Sequence, residues 1–251
     1  GTNDVKQCED LHYKNKKIII LDHHNKEVDN NYAIIVNNQS SNNYSNKNLC
    51  GAGIVYRFLQ ALDEYNWTEY ADEYLDLVAL ANISDLMDIR SFETKYLIEA
   101  GLNNITNKCF DAFIKAQEYS LKGIVNIHNI QFYITPLINA MVRVGSLEDK
   151  ELLFKAFIEE DCFFEYKKRA TKNSPATVIN EDIYSRAVRL CKNAKSRQDK
   201  LREKSFVNVE NILNDSEENK IIICDTTDAV ESSLTGVIAI KIAEAHNKPC
   251  I

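Results

Sequence analysis

The residues best equipped for chemistry in this chain are Asp22, His23 and His24. They follow a β-branched run, 17–21, that reads as a buried strand. Three ionisable groups in succession are costly to place inside a core. At the exit of a parallel strand their side chains open instead into the crevice where α/β proteins bind ligands. A neutral imidazole with carboxylates suits Mn²⁺, and Mg²⁺ less well because of the nitrogen ligand. A surface turn is the plainer alternative, but two His and one Asp at a strand exit favour a site. No thiolate lies nearby in sequence, which argues against a structural zinc centre.

Three further blocks carry functional side chains. Ser84, Asp85 and Asp88 follow an apolar segment, 74–81, that reads as a buried helix. Ser and Asp also favour helix ends, so by itself the block is balanced between a cap and a ligand, although one Asp there can reach the crevice of His23. Residues 135–145 read as a loop offering Asn139, Arg143 and Gly145. Arg binds phosphate bidentately, yet taken alone this one reads as a surface Arg in a turn. Finally, a long polar helix over roughly 179–204 carries Arg186, Arg189, Lys192, Lys195, Arg197, Lys200, Arg202 and Lys204. A solvated connector face is the ordinary reading of such a run, and a track for a phosphate backbone is the alternative.

The elements that must position these groups alternate between strand and helix. A second strand is expected at 32–36, followed by a polar Asn/Ser surface loop at 37–48. Gly51 and Gly53 open a helix with Ile54, Val55, Phe58, Leu59 and Leu62 on one face. A further stripe, Phe92, Tyr96, Leu97 and Ala100, is expected to end with Gly101 at C′. The spacing predicts a helix at 110–119, a short strand at 131–134, and a capping box at Ser146 ahead of Leu152, Leu153, Ala156 and Phe157. After the long helix the pattern restarts with a strand at 220–224, a helix at 235–245 and a strand beginning at 249. This predicts an α/β protein in which the long helix joins two α/β units.

Composition is that of an ordinary globular protein, with 45% hydrophobic and 27% charged residues. No apolar run approaches the roughly 20 residues that span a membrane, and no signal peptide is visible. The first residue is Gly rather than Met, so the chain is expected to begin inside a longer protein. The net charge of −7 gives no global attraction to nucleic acid, so any such binding needs a local basic patch. The seven cysteines are odd in number and show no CxxC pair. They are expected to be reduced and buried, in a cytoplasmic protein.

Taken in order, these blocks resemble the DHH phosphoesterase superfamily, and within it the RecJ-type single-stranded-DNA 5′–3′ exonucleases, including shorter phage-type members. The resemblance rests on IIILDHH (18–24), LCGAGIV (49–55), YLDLVALANISDL (74–86) and ITPLINAMVRVG (134–145). It continues through SRQDKLREK (196–204), like the family's interdomain helix, and GVIAIKIAEAHNKPCI (236–251), like the beginning of its DHHA1-type domain. It implies a parallel-sheet DHH domain over 1–175, a connecting helix over 176–205 and a partial DHHA1-type domain over 206–251.

The same resemblance implies His23 and Asp85 as metal ligands and His24 as a contact to the scissile phosphate or its leaving group. Asp22 would orient the His pair, Asn139 and Arg143 would hold phosphate or nucleotide, and Gly51 and Gly53 would allow close backbone approach. The intact protein would use two Mn²⁺ (or Mg²⁺) ions to hydrolyse single-stranded DNA in repair, recombination or replication. Its partners would be single-stranded nucleic acid and a single-strand-binding or other replication protein, with no membrane. The family's Asp-x-Asp and the Gly-rich loop of its second domain are not found in this sequence, and Ser232-Ser233-Leu234 stands where many relatives have a His. The chain is therefore expected to be a fragment lacking both ends of its site, with weak or absent activity. The alternatives are an oligonucleotide or phosphoadenosine phosphatase, a cyclic-dinucleotide phosphodiesterase, or a non-catalytic DHH scaffold in a replication assembly.

Overall fold

The computed structural model describes residues 1–168, 175, 177–213 and 220–251. The chain packs as two compact units, Gly1–Thr135 and Pro136–Ile251.

The first unit is built on a parallel pair of strands, β1 (Ile19–Asp22) and β2 (Ile34–Asn37), preceded by helix α1 (Val5–Tyr13). Their register sets Leu21 beside Val36 and Asp22 beside Asn37. Leu21 and Val36 pack on a core of Leu49, Ile54, Tyr56, Val78 and Leu97. That core comes from α2 (Gly51–Asn66), α3 (Leu75–Ser84), α4 (Phe92–Asn103) and the segment leading into α2. Burying each such large apolar side chain stabilises the fold by about 1.5–3 kcal/mol. The polar stretch 38–48 is tied down by Glu93 on α4, which accepts from Tyr44 Oη at 2.6 Å and Asn46 Nδ2 at 2.8 Å and pairs with Arg57. Helix α5 (Lys108–Ala116) and the short α6 (Glu118–Leu121) and α7 (Ile127–Asn129) complete the unit.

Three expectations fail here. Gly101 does not end a helix at C′; α4 continues to Asn103 and Gly101 is buried inside it. A Cβ at this position would lie 2.2 Å from the Leu75 carbonyl oxygen and 2.7 Å from Ala79 Cβ, so glycine serves the close approach of α3 and α4. Residues 130–134 are a π turn rather than a strand, and they run directly into α8 (Thr135–Val144) rather than a loop. Pro136 cannot donate to the carbonyl four residues back, and a widened turn just before it accommodates the missing bond.

In the second unit, Ser146 caps α9 (Leu147–Phe157) by accepting from Asp149 N at 3.1 Å, as the capping box predicts. An antiparallel hairpin follows, β3 (Phe163–Lys168) with β4 (Thr177–Asp182), which the sequence pattern does not predict. The long helix α10 therefore begins at Ile183 rather than 179, and it runs to Leu213. Its cations do not form one row. Arg189 makes a bidentate pair with the buried Glu181 at 2.8 and 2.6 Å and lies over the Tyr166 ring. Arg186 stacks on Phe164, Lys195 pairs with Asp199, and Arg197 meets Asp149 at 3.7 Å. Residues spaced by three fall about 60° short of a full turn, so the positive charges wind around the helix. Several of these cations thus clamp the hairpin and a neighbouring turn.

The strands expected at 220–224 and from 249 reduce to a single bridge flanking a helix at the tail of the unit. Ile222 and Cys250 form a parallel bridge on either side of α11 (Thr235–His246). Val209, Val230, Leu234, Ile238 and Ile242 make its core. All seven cysteines are free thiols; Cys8, Cys50, Cys109 and Cys191 are buried, whereas Cys162, Cys224 and Cys250 are partly exposed. No described helix is long and apolar enough to cross a membrane.

Candidate active site

Strand β1 ends in Asp22, which is buried. Its two carboxylate oxygens divide the work. Oδ2 accepts from the Thr2 amide at 2.7 Å and the Thr2 hydroxyl at 2.8 Å. Oδ1 accepts from His23 N at 2.8 Å and faces His24 Nδ1 at 2.7 Å. Burial alone would push this carboxyl up. The Thr2 amide, the His24 ring and the Thr2 hydroxyl outweigh it and hold Asp22 well below the usual carboxylate range. A carboxylate only accepts, so the proton of a neutral His24 ring sits on Nδ1 and leaves Nε2 for a ligand. The two imidazoles lie side by side, with centroids 4.4 Å apart.

His23 comes from the exit of β1 and Asp85 from the C-terminal end of α3. That end is a complete Schellman turn: Met87 N donates to Asn82 O at 3.0 Å and Leu86 N to Ile83 O at 3.2 Å. It presents the Asp85 carboxylate to solvent and to His23, with Nε2 and Oδ2 3.8 Å apart. Two bonds of about 2.1 Å span at most about 4.2 Å, so this 3.8 Å gap lets both atoms reach one divalent cation. The donor set, imidazole and carboxylate, suits Mn²⁺. Among the described residues no group of three His, Cys, Asp or Glu side chains converges for a metal. Asp22 is already engaged, and Asp88 is chelated by Arg90, whose guanidinium holds the Asp88 carboxyl down to about 2.

A pocket of about 370 Å³ opens beside the His pair, and Gln39, Lys47, Asn48 and Met87 line it. None of these four stands out in the sequence, nor do Thr2 and Asn37, which bond around Asp22 and His24. The strand register alone brings Asn37 to Asp22. Gly51 leaves room beside His23, but a Cβ there would meet only ordinary contact at 3.8 Å from the ring, and one at Gly53 would press on Leu49 at 3.2 Å. Asn139 and Arg143 lie in the second unit, one helical turn apart on the same face of α8, with Arg143 exposed.

Residues 1–82 match the DHH family, N-terminal domain. The first third of the chain thus carries a DHH-family N-terminal domain. It is 38% identical, over its whole length, to YorK, an SPbeta-prophage-derived protein of Bacillus subtilis (strain 168) named for single-strand DNA-specific exonuclease activity. It is 30% identical over 58% of its length to the single-stranded-DNA-specific exonuclease RecJ of the same organism. The chain spans only 43% of YorK and 18% of that RecJ. In fold, the chain superposes along its whole length on 58% of a RecJ crystal structure bound to manganese, with a TM-score of 0.74 and 20% identity. It also matches RecJ of Thermus thermophilus in complex with Mg²⁺, with a TM-score of 0.64 and 20% identity over 92% of this chain and 32% of that one.

Proposed function

We propose that this chain carries part of the active site of a metal-dependent phosphodiesterase that degrades single-stranded DNA from 5′ to 3′. The observation that carries the reading is the pairing of His23 Nε2 with Asp85 Oδ2 at 3.8 Å, beside a His24 ring whose proton is fixed by Asp22. The names of YorK and RecJ, and the manganese bound in RecJ structures, support it.

His23 and Asp85 would hold one ion. A divalent ion held there would supply positive charge against the phosphate and would lower the pKa of bound water. His24 meets the scissile phosphate or its leaving oxygen through Nε2, and Asp22 keeps that ring oriented. Asn139 and Arg143 offer an amide and a guanidinium to phosphate from one face of α8. Two protein donors make a weak site, so turnover by these 251 residues is slow, and a second ion would require further carboxylates. Residues 1–175 act as the DHH domain, 176–205 as connector and 206–251 as the start of a DHHA1-type domain, in a cytoplasmic protein of DNA repair or replication.

The test compares Mn²⁺-dependent product release from a long 5′-labelled single strand with release from a dinucleotide, in the chain and in His23→Ala. Slow release from the long strand, lost in His23→Ala, supports the reading. Preference for the dinucleotide turns it to a small-substrate phosphodiesterase, and failure of the chain to bind Mn²⁺ overturns it.

A further inference from the structure

Asn37 closes β2 directly opposite Asp22, the last residue of β1. It is 6% exposed, and a buried amide is costly unless its donors and acceptor are satisfied. Its two donor bonds lead to the His pair. Nδ2 donates to the His24 carbonyl at 2.8 Å and to Thr2 Oγ1 at 3.1 Å. Oδ1 accepts from Gln39 N at 2.7 Å, which turns the chain out of β2 along the wall of the pocket. Thr2, itself buried, passes the chain on by donating its hydroxyl to Asp22 Oδ2 at 2.8 Å. Asp22 Oδ1 then holds His24 Nδ1.

Every proton in this relay has one place. The carboxylate can only accept, so the Thr2 hydroxyl points at Asp22 and turns a lone pair to Asn37 Nδ2. His24 is therefore held at two points. Asp22 grips the ring at Nδ1, and Asn37 grips the carbonyl of the same residue. The side chain is otherwise 72% exposed, and its ring lies tilted against that of His23, with centroids 4.4 Å apart. A ring that must meet a phosphate in one geometry needs that second anchor.

We infer that Asn37, acting with Thr2, is a positioning residue for His24. It fixes the His24 peptide and, through Thr2 and Asp22, the Nδ1–H form of the ring. This rests on the reading of His24 as the phosphate-facing group. A sheet-end amide that merely closes off β2 would hold the fold together without any hold on the ring.

The two roles separate in imidazole nitrogen NMR of the ¹⁵N-labelled 251-residue chain, at alkaline pH where the rings are neutral. In the unsubstituted chain His24 shows a protonated Nδ1 and an unprotonated Nε2. In Asn37→Ala the two signals converge as the tautomers mix, while His12 and His128 stay in place. Thr2→Val, nearly isosteric and keeping its amide, moves the same two signals; Thr2→Ser, which keeps the hydroxyl, restores them. Mn²⁺-dependent turnover falls about tenfold in Asn37→Ala, the scale for partners that orient a functional histidine. A folded Asn37→Ala with unmoved His24 signals overturns the inference. If Asn37→Ala does not fold, unmoved signals in Thr2→Val overturn it equally. A chain without any Mn²⁺-dependent hydrolysis counts against the phosphodiesterase reading alone, since the NMR signals decide the positioning role without turnover.

Discussion

His23 Nε2 stands 3.8 Å from Asp85 Oδ2, a strand-exit imidazole facing a helix-end carboxylate. Neither group is saturated by the other, because 3.8 Å is beyond a hydrogen bond. Each is left free to bond a cation placed between them. Removing either leaves one protein donor. Mn²⁺ affinity, read by titration calorimetry on the chain, falls at least tenfold in His23→Ala and in Asp85→Asn, and the double variant is little worse than either single one. Additive losses would mean that the two side chains serve separate ions.

Gly101 packs α4 onto α3, whose end carries Asp85. A methyl at this position overlaps the Leu75 carbonyl and Ala79 Cβ, neither of which can swing away. Gly101→Ala therefore destabilises the first unit by about 1–3 kcal/mol, the range for overpacked cores, despite alanine's better helix propensity. Urea unfolding monitored by circular dichroism measures the loss. An unchanged midpoint would show that the two helices can separate freely.

What the sequence displayed was set by local chemistry. The run 17–21 followed by Asp22-His23-His24 reads as a strand and its exit because hydrophobicity and charge change at one point, and β1 lies there. The apolar block around 74–81 likewise becomes α3, with Asp85 at its end. The misread places are those where distant contacts decide. Gly101 resembles a helix terminator until the closeness of α3 is known. Residues 131–134 have strand-like side chains and precede a proline, yet the helix passes through them by a π turn. The hairpin β3–β4 rests on Arg186 and Arg189, which stack on Phe164 and Tyr166 from a helix whose cations suggest solvent or phosphate. Thr2 and Asn37 carry no local signal at all, since only chain pairing sets them around Asp22.

Glu93 gives the first unit an acid-sensitive joint. Burial pushes its carboxyl up, but the Tyr44 hydroxyl, the Asn46 amide and the Arg57 guanidinium prevail and hold it below the usual glutamate value. A carboxyl lowered on folding adds stability that is full above its unfolded value and is lost as pH falls through the folded one. Thermal melts from neutral pH down into the carboxylate range should therefore show a decline that is shallower in Glu93→Gln, which cannot titrate. At neutral pH the same variant is less stable by about 1–3 kcal/mol, because bonds to a charged acceptor are lost. Parallel curves for the two proteins would remove Glu93 from the acid response.

The thiols divide by burial. Cys191 is fully buried on α10, and burial pushes its thiol up to about 12; Cys50, at the N-terminal end of α2, is pushed up to about 11 by the same cause. The thiolate is the reactive form, so both resist alkylation in the native protein at about pH 8. The partly exposed Cys162, Cys224 and Cys250 are labelled before them under iodoacetamide, as followed by peptide mass spectrometry. Early labelling of Cys191 would show that α10 opens locally from its partners.

Leu86 occupies the C′ position of the turn that ends α3, at φ +55°, where glycine is the favoured residue. A left-handed conformation costs an L-residue about 1–2 kcal/mol, while glycine gives back about 0.4–1 kcal/mol through the greater freedom of its unfolded chain. Leu86 is 67% exposed, so little burial is lost on its removal. Leu86→Gly is therefore more stable by about 0.5–1 kcal/mol in denaturant melts, from the difference of those two terms. The side chain lines the same pocket as His23 and His24, where, under the proposed function, an exposed apolar group would offer a wall to a sugar or base. The same substitution thus raises KM for a single strand while leaving Mn²⁺ affinity unchanged, since Asp85 keeps its place. A variant that is both less stable and unaltered in KM would mean that Leu86 is held by packing within its own unit rather than by what the pocket receives.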